Sequence, residues 1–129
     1  MKIFSYALMF LLGVVLGGLI VPTRLACAAD WSTGDTVREV IAEGLIATDF
    51  AQTRTIAANP QQWSELNPLL GSHPSVGKVN LLAVGVLIAH PVISYLLPRP
   101  YREVFQYVTI GVEATAVSHN YQIGIHTSW

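Results

Sequence analysis

The chain has 129 residues, of which 52% are hydrophobic and 12% charged, and its net charge is −1. Soluble domains carry about 25% charged residues, so a membrane protein is the first expectation and a soluble periplasmic helical domain the alternative. Seven Lys/Arg without a cluster exclude a nucleic-acid footprint, and the single Cys27 excludes an intramolecular disulfide framework.

Met1-Lys2 precedes an apolar run from Ile3 to Val21, then small residues ending in Ala26-Cys27-Ala28-Ala29. A basic start, an apolar core and an Ala-x-Ala end read as a secretory signal. The run is also long enough to span a bilayer. Residues 1–29 are therefore expected to be a signal peptide or an N-terminal membrane anchor, and residues 30–129 one helical membrane domain.

A first helix is predicted over 36–58. Thr36-Val37-Arg38-Glu39 fits the capping box, and Asn59-Pro60 stops the helix. Gly44, Thr48, Ala51 and Thr55 line one side with small residues, the kind of stripe that lets helix backbones approach in a membrane. Arg38, Asp49 and Thr53 lie elsewhere on the wheel.

The passage from Glu65 to Pro74 is predicted as a rigid turn. Asn67 precedes Pro68, is pushed out of the α region, and can bond its own backbone. Glu65 is placed to accept from nearby backbone N–H groups, and Gly71 allows a positive φ.

A second helix is predicted over 76–97, ended by Pro98. It has no formal charge between Val79 and Leu97, and its length covers most of the hydrocarbon core. Asn80, His90 and Ser94 fall near one another on its wheel. Gly85 and Ala89 form a second small pair, and Pro91 removes a backbone hydrogen bond.

A third helix is predicted from after Pro100 to Tyr121. Gln106, Thr109, Glu113 and Asn120 share a narrow stripe with Ala116, and most other positions are apolar. A broad apolar face with a thin polar seam suits a membrane helix whose seam faces partner helices. Trp129 is placed to sit at a lipid interface. The expected fold is all-α, a small transmembrane helical bundle of about three helices. Arg99 and Arg102 mark their loop as cytoplasmic under the positive-inside rule. That puts the Glu65–Pro74 turn in the periplasm with helix 36–58 lying on or re-entering the membrane; if that helix crosses instead, the rule fails, so orientation stays open. The expected location is the bacterial inner membrane, with exposure to the periplasm.

A carboxylate at the bilayer centre costs ~2.5–3.5 kcal/mol and needs a partner or water. The candidate polar site is Asp49, Glu65, Asn67, Glu113 and Asn120. One reading makes Asp49 and Glu113, with Glu65 or His90, a proton-linked or ligand-binding site. The other makes them a structural network, in which Glu113 pairs with Arg54 or Lys78 or bonds Asn120 or Gln106. His73, His90, His119 and His126 show no i,i+4 pair, so neither metal nor cofactor is expected. No nucleophile motif or phosphate-cradling loop is present.

Asp49 and Thr53, then Glu65-x-Asn67-Pro68-Leu69-Leu70-Gly71, then an apolar helix introduced by Lys78, resemble a family of small multi-helix membrane proteins of uncharacterised activity. Phage and prophage proteins are among them. The resemblance covers about residues 36–120. It implies a compact helical membrane fold, and it carries no catalytic residue. The function expected is a structural or interaction role in the bacterial envelope, with phage origin and action at the host inner membrane as one form of it. Its partners would be the lipid bilayer and another membrane protein or a second copy of the chain. The rival is a membrane-embedded enzyme or proton-coupled binding protein using Asp49, Glu65 and Glu113.

Overall fold

A computed structural model describes residues 31–127. The expected signal or anchor at 1–29 and the interfacial Trp129 lie outside those residues. Three helices and no strands make up the described chain: α1 (Thr33–Ala58), α2 (Val76–Leu96) and α3 (Arg99–Gln122). The all-α expectation holds.

α1 starts one turn earlier than the sequence suggests. Its N-cap is Ser32, whose side chain accepts from the Asp35 N–H while the Asp35 carboxylate accepts from the Ser32 N–H. Both Ser32 and Thr36 are followed three residues later by a carboxylate, so two capping boxes compete. The upstream one gains a further helical turn and releases Glu39 for the interior, where it is buried. Thr36 instead accepts from Trp31 Nε1 at 2.9 Å.

α2 is capped by Ser75, which accepts from the Lys78 N–H, and it continues through Pro91. α3 follows at once, with Pro98 as N-cap and Pro100 in its first turn. A first-turn proline costs nothing, because the N–H it lacks has no intrahelical acceptor.

α1 packs against both α2 and α3, while α2 and α3 meet each other far less. The bonded pairs fix the directions. Glu39 meets Gln106, and Asp49 meets Asn120 further along, so α1 and α3 run parallel. Glu39 also meets His90, near the end of α2, so α2 runs antiparallel to both.

The turn between α1 and α2 forms as its chemistry requires. Glu65 Oε1 accepts from the N–H groups of Leu66 and Asn67 at 2.8 and 2.7 Å. Asn67 Oδ1 accepts from the Leu69 N–H, an Asx turn. Gly71 has φ +78°, a left-handed conformation that side chains resist. Lys78 Nζ donates to the Leu70 carbonyl at 2.8 Å, tying the turn to α2.

After α3 the tail folds back. Gly124 takes φ +89°, and the Ile125 N–H donates to the Asn120 carbonyl at 2.9 Å, the Schellman arrangement. Ile125 is thereby buried, and the Ile125 and His126 carbonyls accept from Gln52 and Thr55 of α1. α3 therefore stops before Gly124, and His119 and His126 do not share a helix face.

Polar and apolar residues share the interior, and α2 turns aliphatic side chains outward. The buried set includes Asp35, Glu39, Gln52, Thr53, His90, Ser94, Arg102, Gln106 and Thr109 beside small and aliphatic residues. The outer face of α2 carries Leu81, Val84, Ile88 and Val92 at 51–76% exposure. Gly44 on α1 and Gly85 on α2 face open space, whereas Ala51 and Thr55 of the predicted α1 small-residue face are covered by this chain. Asn80 is exposed rather than joining His90 and Ser94; its neighbour Val79 takes the inward position.

Candidate functional site

Two polar clusters occupy the interior, one at each end of the bundle. The stripe on α1 runs Asp35, Glu39, Ala42, Ile46, Asp49, Thr53, Ile56, stepping alternately by four and three residues. The facing stripe on α3 runs Arg102, Gln106, Thr109, Glu113, Ala116, Asn120 with the same steps. Such stepping keeps one line of side chains facing a partner along a whole helix. The polar members therefore meet in register.

The first cluster joins the N-terminal halves of α1 and α3 to the end of α2. Arg102 is fully buried at the start of α3. Its Nε donates to the Ser94 carbonyl at 2.9 Å, its Nη2 to the Leu97 carbonyl at 3.0 Å, and its Nη1 to Asp35 Oδ2 at 3.4 Å. It thus satisfies carbonyls left open where α2 ends. Arg102, read from sequence as one of two loop charges, is an interior group in the first turn of α3, paired with Asp35. Its guanidinium also lies over the Trp31 ring, 4.8 Å from the centroid. Arg38 bonds Asp35 from the same helix, and its Nε donates to Gln106 Oε1 at 2.9 Å. Gln106 Nε2 donates to Glu39 Oε2 at 2.7 Å and to the Asp35 carbonyl at 3.1 Å.

Next in line is His90. Its Nδ1 lies 2.8 Å from Glu39 Oε1 and 3.2 Å from Glu43 Oε1. Its Nε2 lies 3.1 Å from Thr109 Oγ1. Thr109 gives its own hydroxyl hydrogen to the Phe105 carbonyl at 3.0 Å. With that hydrogen on the Phe105 carbonyl, Oγ1 accepts from Nε2–H of His90; in the other tautomer the hydroxyl donates to Nε2 and Nδ1–H donates to Glu39. The imidazole also stacks on Phe105, with ring centroids 4.7 Å apart. The ring is held by one stack and by bonds at both nitrogens.

The second cluster holds the residues singled out from sequence. Asn120 Nδ2 donates to Asp49 Oδ1 at 3.2 Å and to Gln52 Oε1 at 3.0 Å. Gln52 Nε2 in turn donates to the Val117 carbonyl. Asp49 lies within electrostatic reach of both Glu65 and Glu113. Three of the expected carboxylates therefore share one end of the bundle. Asn67 does not join them; its side chain is spent on the turn.

Glu113 differs from expectation in its partners. Lys78 is bonded to Leu70, Gln106 to Glu39, and Asn120 to Asp49 and Gln52. The buried Arg54 Nε has no hydrogen-bond acceptor, and no ion pair joins Arg54 to Glu113 among the described residues. Glu65 Oε2 is likewise buried without a donor, while Oε1 holds the turn.

Sequence reasoning passed over Asp35, Glu39, Glu43 and Arg102. Their signals were present. Glu39 and Glu43 are four apart, hence on one helix face, and Arg102 extends the Gln106–Asn120 stripe by one step. Ligand spacing among the histidines alone misses a set in which one histidine meets two carboxylates from another helix.

The chain matches no protein-family model, no curated protein and no solved structure. The family resemblance accordingly rests on the sequence pattern alone: Asp49, Thr53, Glu65-x-Asn67-Pro68-Leu69-Leu70-Gly71 and the apolar helix introduced by Lys78.

Proposed function

We propose that this chain is a small integral membrane protein with a structural or interaction role in the bacterial envelope, its three helices forming one bundle in the bilayer. The observation that carries the reading is the inverted polarity of α2. α2 buries His90 and Ser94 and turns Leu81, Val84, Ile88 and Val92 outward. In water that arrangement forgoes ~1.5–3 kcal/mol for each large aliphatic side chain left exposed. In hydrocarbon it costs nothing, and interior polar groups become the glue between helices.

α2 is long and apolar enough to cross a membrane, and 17% of its most apolar stretch is buried inside the bundle. Its 21 residues at ~1.5 Å each match a ~30 Å core. α1 and α3 are more polar, but Asp35, Glu39 and Arg102 are turned inward and bonded: Asp35 to Arg38 and Arg102, Glu39 to His90 and Gln106. The open faces at Gly44 and Gly85 suit close approach of another helix, from a second copy or another membrane protein. A phage-encoded protein acting at the host inner membrane is one form of this role.

Alkaline carbonate extraction of membranes from cells making the full chain tests the reading. The protein is expected in the pellet; release into the supernatant overturns it and favours a soluble periplasmic protein.

A second reading has its own observation. Asp49 lies within electrostatic reach of Glu65 on one side and Glu113 on the other, and Glu65 Oε2 lacks a donor. Such a cluster can exchange a proton or hold a cationic ligand. Proton release on adding candidate ligands to the detergent-solubilised protein, abolished by Glu113→Gln, supports this reading. No release with any ligand leaves the cluster as a packing feature.

A further inference from the structure

We propose that Glu39, Glu43 and His90 form a binding site for a divalent first-row transition-metal ion within the bundle, with Thr109 and Gln106 as the residues that orient the ligands. The proposal goes beyond the membrane reading and does not depend on it.

The ligand atoms are already gathered. One nitrogen of His90 and one oxygen each of Glu39 and Glu43 lie within 4.8 Å of one another. The two separations from Nδ1 are 2.8 and 3.2 Å. Metal–ligand bonds of ~2.0–2.2 Å to imidazole nitrogen and carboxylate oxygen place neighbouring ligands roughly 3.0–3.4 Å apart. The two His90 separations lie near that range, and the carboxylate oxygens, within 4.8 Å of each other, close around an ion by side-chain rotation.

The geometry favours a cation there. In the tautomer with its hydrogen on Nε2, a neutral His90 turns the Nδ1 lone pair toward two carboxylate oxygens. Lone pair against carboxylate is repulsive; a positive centre between them is attractive. A proton on Nδ1 can bond one oxygen, and Glu39 Oε1 has the favourable geometry at 2.8 Å. Glu43 Oε1 is then left buried with no hydrogen-bond donor. A metal ion satisfies all three atoms at once. Imidazole with carboxylates suits Zn²⁺, Mn²⁺ or Fe²⁺ rather than a thiolate-seeking ion.

The surrounding groups have the form that metal sites use. The ligating histidine donates its other ring hydrogen to a fixed acceptor, and a ligating carboxylate receives a hydrogen bond, here from Gln106 Nε2 at 2.7 Å. Phe105 fixes the ring plane. Glu43, with 26% of its side chain exposed, leaves an entry path.

The test uses the full chain purified in detergent, stripped with chelator and titrated with Zn²⁺ alone, then Co²⁺ alone. One Zn²⁺ per chain is expected. Glu43→Gln should weaken binding at least tenfold, and Thr109→Val, which touches no metal, should weaken it by ~10–100-fold. ¹⁵N spectra of the histidines should show one ring whose Nδ1 shifts on Zn²⁺ addition while its Nε2 keeps its hydrogen. Absence of stoichiometric Zn²⁺, or equal binding by Glu43→Gln, overturns the proposal and leaves a protonated His90 between two carboxylates. Glu43→Gln is isosteric and partly exposed, so it decides the matter even if His90→Gln fails to fold. Exposed His73 or His119 binding Zn²⁺ adventitiously would survive Glu43→Gln and so counts against the site.

Discussion

Asp35 and Arg102 form an ion pair in which neither side chain has any exposure, with Nη1 and Oδ2 3.4 Å apart. The pair ties the first turn of α1 to the first turn of α3. Each partner has further bonds: Asp35 to Ser32 and Arg38, Arg102 to the Ser94 and Leu97 carbonyls. A buried pair with its remaining bonds satisfied is neutral to replace as a unit but costly to break. Arg102→Met leaves the Ser94 and Leu97 carbonyls without this donor and Asp35 with Arg38 as its remaining cation. The expected loss is ~1–3 kcal/mol, read from denaturant unfolding in detergent followed by circular dichroism. Arg102→Lys keeps the charge but lacks the planar fork, and is expected to recover only part of that loss. Equal stability of Arg102→Met and the parent would mean that the pair does not hold the helices.

Gln106 offers a second prediction. Its amide bridges Arg38, Glu39 and the Asp35 carbonyl, with both of its polar atoms in use. Gln106→Leu fills a similar volume yet leaves Glu39 Oε2 and Arg38 Nε without this partner. The cost expected is ~1–3 kcal/mol. Double-mutant cycles with Glu39→Gln should show coupling above ~0.5 kcal/mol, since the two side chains touch. Additive effects would contradict the bond.

Much of this fold was legible because backbone chemistry is local. Asn59-Pro60, Asn67-Pro68, Gly71 and Pro98 mark boundaries through restrictions carried in the residue itself. The α3 seam was legible because its polar residues stand out against apolar neighbours. The α1 seam was not, because its polar and small residues occur on several faces of the wheel. Gly44, Thr48, Ala51 and Thr55 make a tidy line, but what selects the inward face is where α3 places Arg102, Gln106 and Asn120. Asp49 and Asn120 were recognisable singly, and only the parallel course of α1 and α3 brings them together. Glu113 shows the limit: Lys78, Gln106 and Asn120 are engaged elsewhere, and no ion pair joins it to Arg54 among the described residues.

Gly124 closes α3 at φ +89°. The turn brings Ile125 into the interior and supplies the Ile125 and His126 carbonyls to Gln52 and Thr55. No neighbour crowds a Cβ there, so the penalty of Gly124→Ala is one of backbone conformation, ~1–2 kcal/mol. The expected outcome is a loosened tail rather than a lost bundle. Hydrogen exchange should accelerate at the Ile125 amide, which donates to Asn120, while amides in the middle of α1 keep their protection. Uniform acceleration throughout would show that the tail is integral to global stability.

Ile88 stands on the outer face of α2 at 62% exposure, with Leu81 and Val84 on the same side. A lysine there has opposite consequences in the two environments. In water Ile88→Lys replaces an exposed apolar side chain by a solvated one and is expected to raise soluble yield without loss of helix content. Near the middle of a membrane-spanning helix it adds ~2.5–3.5 kcal/mol to insertion. That is about a hundredfold shift in the inserted fraction at ~1.4 kcal/mol per tenfold. The membrane reading predicts a drop in the carbonate-resistant fraction for Ile88→Lys, with Lys at the exposed, turn-proximal Asn80 having far less effect. Unchanged membrane retention for both, or a soluble and fully helical Ile88→Lys protein, would place the outer face of α2 in water.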